Sequence, residues 1–252
     1  MRAPEELRAL VEGYLEELAL TPELGTLAEP VRYALDGGGK RIRPALCLAT
    51  AEAAGATPEE ALPAGAAVEL VHTFSLVHDD LPALDDDALR RGRPSAHVEF
   101  GEASAILAGD ALLAEAMRLA LSYPTPAVAR ELTRATLAMI GGQHRDLAGE
   151  GGDEVDQLKT GALFEAAVGC GLWVADVREQ APWRAFAAEL GGLFQLVDDI
   201  IDGDGAVVTH GLDRTRQLAD DAAERARGRL AAIDADTSVL AEIVSGLATR
   251  SS

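Results

Sequence analysis

Apolar residues recur at helical spacing along most of this 252-residue chain, and no stretch shows the strict alternation of a half-buried β-strand. Alanine and leucine, both strong helix formers, dominate the composition, and glutamate, another helix former, is also frequent. The pattern is clearest in residues 4–20, 44–54, 57–81, 103–121, 126–147 and 179–202. Several of these segments are apolar around much of their circumference, so they are expected to lie inside the fold. We therefore predict an all-α protein, a large helical bundle with its site in a central cavity.

Glycine and proline divide the chain into about ten helices but not into domains. Breaks fall at residues 37–39, at Pro94, and at residues 123–126, 149–152 and 203–205. None of these is a long linker rich in proline, glycine and serine, and the chain length suits one large core. We predict a single domain over residues 1–252.

Two aspartate clusters end apolar segments of the chain. The first comprises residues 79–80 and 85–87, and the second comprises Asp198, Asp199 and Asp202. On a helix, positions 198, 199 and 202 lie at about 0°, 100° and 40° around the axis, so their carboxylates are expected to share one face. Such crowding on an apolar helix is costly unless a cation binds there. Ligands that are all oxygen favour Mg²⁺ or a similar hard cation over zinc.

The first cluster requires a bend in the chain. Pro82 disrupts the last helical turn, so Asp85 reaches the face of Asp79 and Asp80 only if the chain kinks. One acidic run alone is more often a solvated helix end. Two such runs, each ending an apolar helix, favour a shared metal site instead.

Charge and cysteine content exclude several classes of protein. A net charge of −20 and a pI near 4.5 argue against binding to nucleic acid or to an anionic membrane surface. Cys47 and Cys170 provide neither a disulfide framework nor a metal-site spacing, and we expect two buried thiols. The first residues are charged, and no run of about twenty apolar residues occurs. We expect a cytoplasmic protein without membrane insertion.

The few lysines mark candidate phosphate sites. Of the 22 lysine and arginine residues, only Lys40 and Lys159 are lysines. A compact ammonium fits close to a phosphate oxygen where a planar guanidinium does not. Lys40, Arg41 and Arg43 follow a Gly-rich loop at the start of a helix, where backbone N–H groups and the helix dipole also attract anions. Residues 90–93 form a third cationic patch. For each isolated lysine, a solvated side chain near a helix start is the alternative interpretation.

These motifs together resemble the trans-type isoprenyl diphosphate synthases, and among them the bacterial farnesyl and geranylgeranyl diphosphate synthases. The resemblance extends from Gly37 to Asp202. The motifs that carry it are Gly-Gly-Lys-Arg-Ile-Arg-Pro at 38–44, Val-Glu-Leu-Val-His-Thr-Phe-Ser-Leu-Val-His-Asp-Asp-Leu-Pro-Ala-Leu-Asp-Asp-Asp at 68–87, Arg-Arg-Gly at 90–92, Ala-Ile-Leu-Ala-Gly-Asp at 105–110, Gly-Gly-Gln at 141–143, Lys-Thr-Gly-Ala-Leu at 159–163 and Phe-Gln-Leu-Val-Asp-Asp-Ile-Ile-Asp at 194–202.

The resemblance implies the isoprenoid synthase fold, a Mg²⁺-dependent condensation of isopentenyl diphosphate with an allylic diphosphate, and a homodimer. It implies three ions with substrate bound, with Mn²⁺ as an alternative metal. The implied metal residues are Asp79, Asp80, Asp85, Asp198, Asp199 and Asp202. The residues implied for isopentenyl diphosphate are Lys40, Arg43, His72 and Arg91. The catalytic residues implied at the allylic diphosphate and its cation are Arg90, Lys159, Thr160 and Gln195.

Helical spacing bears on two further sets of residues. His72 lies seven residues before Asp79 and therefore on the same helical face, although a lone histidine on such a helix is more often a core residue. Gln143 and Asp146, three residues apart, point into the same cavity or have a structural role.

Product length is implied by the residues that precede the first aspartate cluster. In the family that this chain resembles, bulky side chains there stop elongation, and Phe74 lies five positions before Asp79. We therefore favour farnesyl diphosphate as the product. Ser75 leaves some space, so geranylgeranyl and geranyl diphosphate remain alternatives, and plain core packing is the structural alternative for Phe74.

One segment departs from the family pattern. A lysine-bearing loop normally follows the second cluster, whereas here no lysine follows Asp202 and residues 203–212 join two helices directly. That loop helps to close the site, so its loss bears on turnover. His210, Arg214, Arg216 or a partner subunit are candidate substitutes. The alternatives to a chain-elongating enzyme are a terpene cyclase on the same fold and a catalytically weak subunit of a heteromeric synthase.

Overall fold

The computed structural model describes residues 1–249, and almost all of its regular structure is helical, which confirms the all-α prediction. A 3₁₀ helix at Pro22–Leu27 follows the first α-helix, and a π-helical turn at Gln157–Gly161 precedes the ninth. The α-helices are α1 (Pro4–Glu17), α2 (Ala28–Leu35), α3 (Ile42–Ala53), α4 (Pro58–Asp79), α5 (Ala96–Phe100), α6 (Glu102–Ala120), α7 (Ala127–Leu147), α8 (Asp153–Asp156), α9 (Ala162–Val174), α10 (Ala181–Asp202), α11 (Gly205–His210), α12 (Leu212–Ala231) and α13 (Ser238–Ala248).

One short hairpin interrupts the helices. Strand β1 (Leu89–Arg90) pairs antiparallel with β2 (Arg93–Pro94). The two residues between them, Arg91 and Gly92, have φ values of 54° and 77°, as the tight turn of a two-residue hairpin loop requires. Strands of two residues are too short to produce an alternating pattern, which is why the sequence did not predict them.

Helix α4 lies at the centre of the bundle and delivers the first aspartate cluster. Thr57 begins it with a capping box, in which the Thr57 side chain accepts from the Glu60 N–H and Glu60 accepts from the Thr57 N–H at 2.8 Å. Every residue from 64 to 71 is buried, and α4 packs against α3, α6 and α9. Its polar end at Asp79 therefore projects from an otherwise apolar core.

Helix α10 delivers the second cluster. It packs against α9 and α12 and ends at Asp202, where Gly203 takes a left-handed conformation with φ 74°. Two residues, Gly203 and Asp204, separate α10 from α11, and Gly211 alone separates α11 from α12. The shortened connection is therefore one short helix between two longer ones.

Apart from Val155, the buried apolar residues of the described chain form one continuous cluster that includes both cysteines. Cys47 and Cys170 are free thiols without solvent exposure, as predicted. Burial raises the pKa of Cys47 to about 12, so this thiol stays protonated at neutral pH. No helix within residues 1–249 combines the length and apolar character needed to cross a bilayer.

Candidate active site

The chain bends sharply after α4 and returns Asp85 to Asp79. The Asp85 N–H donates to the carbonyl oxygen of Asp79 at 2.9 Å, and the Leu84 N–H donates to that of Leu81, also at 2.9 Å. This turn supplies the kink that the sequence required. Burial raises the pKa of Asp79 to about 6; Asp85 and Asp80 also raise it, and Lys159 opposes them. Asp79 thus lies among like charges in a partly dry environment, which suits a group that binds a cation.

Asp80 points in a different direction from Asp79. It is almost fully buried and accepts a hydrogen bond from Nε of Arg90 at 2.9 Å, while Arg90 also bonds Asp87 at 3.1 Å. The hairpin therefore carries the cation that compensates the buried Asp80. Asp80 and Arg90, predicted for metal and for diphosphate respectively, neutralise each other here.

The second cluster also divides into two environments. Asp198 and Asp202 are exposed, whereas Asp199 is buried. The Asp199 carboxylate accepts from Nε2 of Gln195 and from the Ala206 N–H in the first turn of α11, both at 2.8 Å. The sequence-based expectation of one shared face is therefore wrong for Asp199, because the 100° between adjacent helical positions turns it towards α11.

The second cluster lies beside cations of the Gly-rich loop. Partial desolvation of its carboxylate and then Asp202 raise the pKa of Asp198, whereas Arg43 and Lys40 lower it. The Arg43 guanidinium lies 4.4 Å from the ring centre of Phe164 and 5.2 Å from that of Phe194. Burial lowers the pKa of Arg43 to about 10, which still leaves it charged at neutral pH. This arrangement directs a cation towards the end of α10.

His72 and Arg91 lie near Arg43, and we call these three residues the cation cluster, in which two arginines lie beside a histidine whose imidazole is neutral at neutral pH. Burial lowers the pKa of His72 well below its usual value, and Arg43 and then Arg91 lower it further. Arg91 passes over the Gly-rich loop so closely that a β-carbon on Gly39 would lie 2.6 Å from its Nη1. This close approach and the φ of 152° at Gly39 both favour glycine where the hairpin meets the loop.

The structure does not bring Lys40 and Arg41 into the cation cluster. Lys40 is exposed and lines a separate groove with residues of α1 and α13. Arg41 is buried in ion pairs with Glu69 at 2.6 Å and Glu12 at 2.9 Å. The expected convergence of three cations in this loop is therefore wrong, because buried carboxylates of other helices hold the middle one.

The π-helical turn places Lys159 beside the first cluster. A β-carbon on Gly142 of α7 would lie 2.6 Å from the backbone nitrogen of Lys159, so the turn packs directly on α7. Lys159 Nζ lies 2.7 Å from Oδ2 of Asp146. Thr160 follows in the same turn and is half-buried. Asp146 thus has a structural role next to the cavity, as the ion-pair partner of Lys159. This is one of the two roles that its spacing in the sequence allowed.

A mostly apolar cavity of about 250 Å³ runs between α4 and α7, and several polar side chains also line it. Asp79, Lys159 and Gln143 line it, and the Gln143 Oε1 atom is buried without a hydrogen-bond partner. The apolar part of the lining includes Phe74, Met139, Ile140 and Leu147. Such a cavity accommodates an apolar chain whose charged head lies near Asp79.

His78 contributes to this cavity, and motif reasoning did not identify it. Its ring meets that of Phe74 edge to face at 5.0 Å, and its Nε2 lies 3.0 Å from the carbonyl oxygen of Ile106. Ser75 also lines the cavity. The sequence could have indicated this role through the spacing of four residues between Phe74 and His78, which places both on one face of α4.

A second, more polar cleft of about 520 Å³ lies at the start of α11. Gln195, Asp199 and His210 line it together with Gln157 of the π-helical turn. Of the candidate substitutes for the missing lysine loop, His210 lines the same cleft as Gln195, whereas Arg214 bonds Gln217 at 3.1 Å on the surface.

Among residues 1–249, no group of three histidine, cysteine, aspartate or glutamate side chains is close enough to form a metal centre by itself. Of the six aspartates predicted to bind metal, Asp79, Asp85, Asp198 and Asp202 remain open to a cation. Their oxygen-only chemistry and the raised pKa values of Asp79 and Asp198 fit a hard divalent ion.

Comparison with known proteins is consistent with this geometry. The family model described as polyprenyl synthetase matches residues 25–224. The geranylgeranyl diphosphate synthase of Cyanophora paradoxa is 40% identical over 216 residues, covering 78% of this chain and 72% of the relative. The farnesyl diphosphate synthase of Geobacillus stearothermophilus is 42% identical over 199 residues, covering 71% and 67%.

Solved structures agree over nearly the whole chain. A crystal structure of a geranylgeranyl pyrophosphate synthase superimposes with a TM-score of 0.90 and 26% identity, covering 100% of both chains. The apo structure of an FPP/GFPP synthase from Zymomonas mobilis gives a TM-score of 0.84 with 33% identity, covering 97% of this chain and 99% of the other.

Proposed function

Because this chain belongs to the polyprenyl synthetase family and is a short-chain trans-prenyltransferase, we propose that it joins isopentenyl diphosphate to an allylic diphosphate in a head-to-tail 1′–4 condensation. The proposal is supported by one arrangement of side chains. Carboxylates lie at the ends of two helices, the cation cluster lies beside Asp198, and an apolar cavity lies beside Asp79. A substrate with an anionic head and an apolar tail matches both parts.

The metal ions of the proposal are Mg²⁺. Family members are generally dependent on divalent metals. Asp79 and Asp85 would hold them at the end of α4, and Asp198 and Asp202 at the end of α10, with diphosphate oxygens completing the ligand set as is usual for Mg²⁺. When bound, the ions supply positive charge that stabilises the departing diphosphate.

Protein side chains complete the stabilisation of the allylic group. Lys159 lies close to Asp79 and adds a fixed cation beside the diphosphate while the bond between the diphosphate and the allylic carbon breaks. Gln195 commits its Nε2 to Asp199, which leaves its carbonyl oxygen to stabilise the allylic cation. The Thr160 hydroxyl has the same proposed role.

Isopentenyl diphosphate is proposed to bind at the cation cluster, with Lys40 approaching from the exposed end of the Gly-rich loop. The double bond then attacks the allylic cation, and the resulting cation loses a proton to the departing diphosphate. Positioning of the two substrates within one water-poor site supplies much of the rate acceleration.

Farnesyl diphosphate is the proposed product. Phe74 is 8% exposed and supports His78 in the cavity wall one turn or more below Asp79, so a growing chain meets an aromatic barrier there. The named relatives include both farnesyl and geranylgeranyl diphosphate synthases. Geranylgeranyl and geranyl diphosphate are therefore the competing products.

A homodimer is proposed as the working assembly. Large apolar side chains are exposed on α6 and α7, among them Leu107 at 54% and Leu137 at 65%, and their burial against a second copy would be favourable. Light scattering coupled to gel filtration measures the mass directly. The two buried free thiols suit the cytoplasm, which is the proposed compartment.

The decisive experiment incubates the purified protein with Mg²⁺, isopentenyl diphosphate and dimethylallyl, geranyl or farnesyl diphosphate, and then sizes the dephosphorylated products. Farnesol from the first two allylic substrates supports the proposal. Cyclic hydrocarbons formed without isopentenyl diphosphate would indicate a terpene cyclase. A complete lack of elongation with every pairing would indicate the weak-subunit alternative.

A further inference from the structure

The Arg41 side chain is turned into the protein, although it lies in the basic loop. It is only 2% exposed, and it donates to Glu69 at 2.6 Å, to Glu12 at 2.9 Å and to the carbonyl oxygen of Leu35 at 2.7 Å. These acceptors come from α4, α1 and the end of α2. A guanidinium bound on three sides by protein oxygens is not free to bind substrate.

The backbone of Arg41 depends on these bonds. Its φ and ψ of 44° and 38° are left-handed, a conformation unfavourable for a residue with a β-carbon and maintained only where the surroundings impose it. Helix α3 begins at the next residue, so the direction in which Arg43 leaves the loop follows from the conformation of Arg41. Loss of the ion pairs would release both the loop and the first turn of α3.

Glu69 connects this anchor to the cation cluster. It is 2% exposed and lies three residues before His72, on the same side of α4. After burial, Glu69 has the largest effect on the pKa of Arg43 and on that of Arg91, and it raises both. One buried carboxylate thus attracts two arginines of the cluster while it bonds Arg41 directly.

We propose that the Glu69–Arg41 pair is a positioning device that holds the cation cluster in the geometry that binds the diphosphate of isopentenyl diphosphate. This inference rests on the proposed function, which gives the cluster its substrate. Glu69 and Arg41 do not touch that substrate. They set the spacing of Arg43, His72 and Arg91 before it arrives, so binding does not have to order these three side chains.

The variant Glu69→Gln separates positioning from simple charge. It removes a negative charge beside the cluster, so a purely electrostatic role predicts tighter binding of a diphosphate. Positioning predicts the reverse. We expect the dissociation constant of isopentenyl diphosphate, measured by calorimetry on the whole metal-free protein, to rise at least tenfold. The KM of the allylic diphosphate should change less than threefold.

Glu131→Gln is the matched control. Glu131 is also buried and accepts from Arg184 at 2.6 Å, but this pair joins α7 to α10 through groups that do not contact the Gly-rich loop. Its loss should lower the thermal unfolding temperature and leave the affinity for isopentenyl diphosphate within twofold. The charge-conserving variant Glu69→Asp should recover part of the affinity that Glu69→Gln loses.

If Glu69→Gln does not fold, Glu12→Gln tests the same anchor from its more exposed partner, with an expected threefold loss of affinity. Unchanged or tighter binding in the tested variant overturns the inference while the proposed function stands. A wild-type protein that binds isopentenyl diphosphate without elongating it contradicts the proposed function alone. A wild-type protein that binds neither this compound nor inorganic diphosphate contradicts both.

Discussion

Lys159 Nζ lies 2.7 Å from Oδ2 of Asp146, and this ion pair ties the π-helical turn to α7 beside Asp79. The pair is about one-third exposed on the lysine side, so solvent screens it and its contribution to stability is small. The ion pair matters because it orients the Lys159 side chain. Lys159 is held next to the first aspartate cluster before any diphosphate binds.

Lys159→Ala should lower kcat by about 100-fold or more, because it removes a fixed cation from beside the departing diphosphate. Asp146→Asn keeps that cation and removes only its tether, so we expect a loss of less than tenfold. Steady-state kinetics of elongation checks both values. Equal losses in the two variants would mean that Lys159 acts through its ion pair alone.

The aspartates of α10 should separate into two kinds on substitution. Asp198→Asn should lower kcat by at least 100-fold and raise the Mg²⁺ concentration needed for half-maximal rate, since Asp198 is proposed to hold metal. Asp199→Ala should retain the Mg²⁺ dependence and destabilise the protein by about 1–2 kcal/mol, because α11 loses the acceptor for its Ala206 N–H.

Mg²⁺ titrations of the rate and urea unfolding measure these two effects. Asp79→Asn is the matched variant in the first cluster and should behave as Asp198→Asn does. A shifted Mg²⁺ dependence in Asp199→Ala, at unchanged stability, would contradict this division of the α10 aspartates into metal-binding and structural residues.

Phe74→Ala should lengthen the main product from fifteen to twenty carbons, because it removes the aromatic barrier and the edge-to-face support of His78. Ser75→Phe should shorten it by narrowing the same cavity. Chromatography of the dephosphorylated products gives the length directly. Loss of a buried aromatic costs about 3–5 kcal/mol, so the unfolding temperature of Phe74→Ala must be measured alongside. An unchanged product would assign Phe74 to core packing.

His72 should make the protein less stable in acid. Burial and the nearby arginines lower its pKa in the folded state, whereas the unfolded chain titrates near 6.5. Below about pH 6.5 the unfolded state therefore binds more protons, and the free energy of unfolding falls by up to about 1.4 kcal/mol per pH unit. Above that pH both states are neutral and the contribution of His72 to the slope disappears.

His72→Asn removes this effect. In urea unfolding between pH 7.5 and 5.5, the stability of the wild-type protein should fall more steeply than that of the variant. Parallel curves would show that His72 is protonated as easily in the folded protein as in the unfolded one.

Local sequence predicted the elements that carry the site. Helix α10 was expected over residues 179–202 and runs Ala181–Asp202, and the segment expected over 57–81 is α4, Pro58–Asp79. Proline, glycine and the capping residues act within a few positions of the helix ends that they specify. The kink that Asp85 needs in order to reach Asp79 was also predictable, because Pro82 cannot continue the hydrogen bonding of the turn before it.

Tertiary structure decided what each side chain in those elements faces. Arg41 was counted among the free cations, yet Glu69 and Glu12 from two other helices bury it. Asp199 was grouped with Asp198 and Asp202, yet α11 takes its carboxylate. Spacing along a helix specifies the direction of a side chain to within part of a turn, whereas its partner is supplied by segments far away in the sequence. The sequence by itself therefore determined the helices, the family and the residue types of the site, and only the packing of distant helices decided which charges neutralise each other and which stay open for substrate.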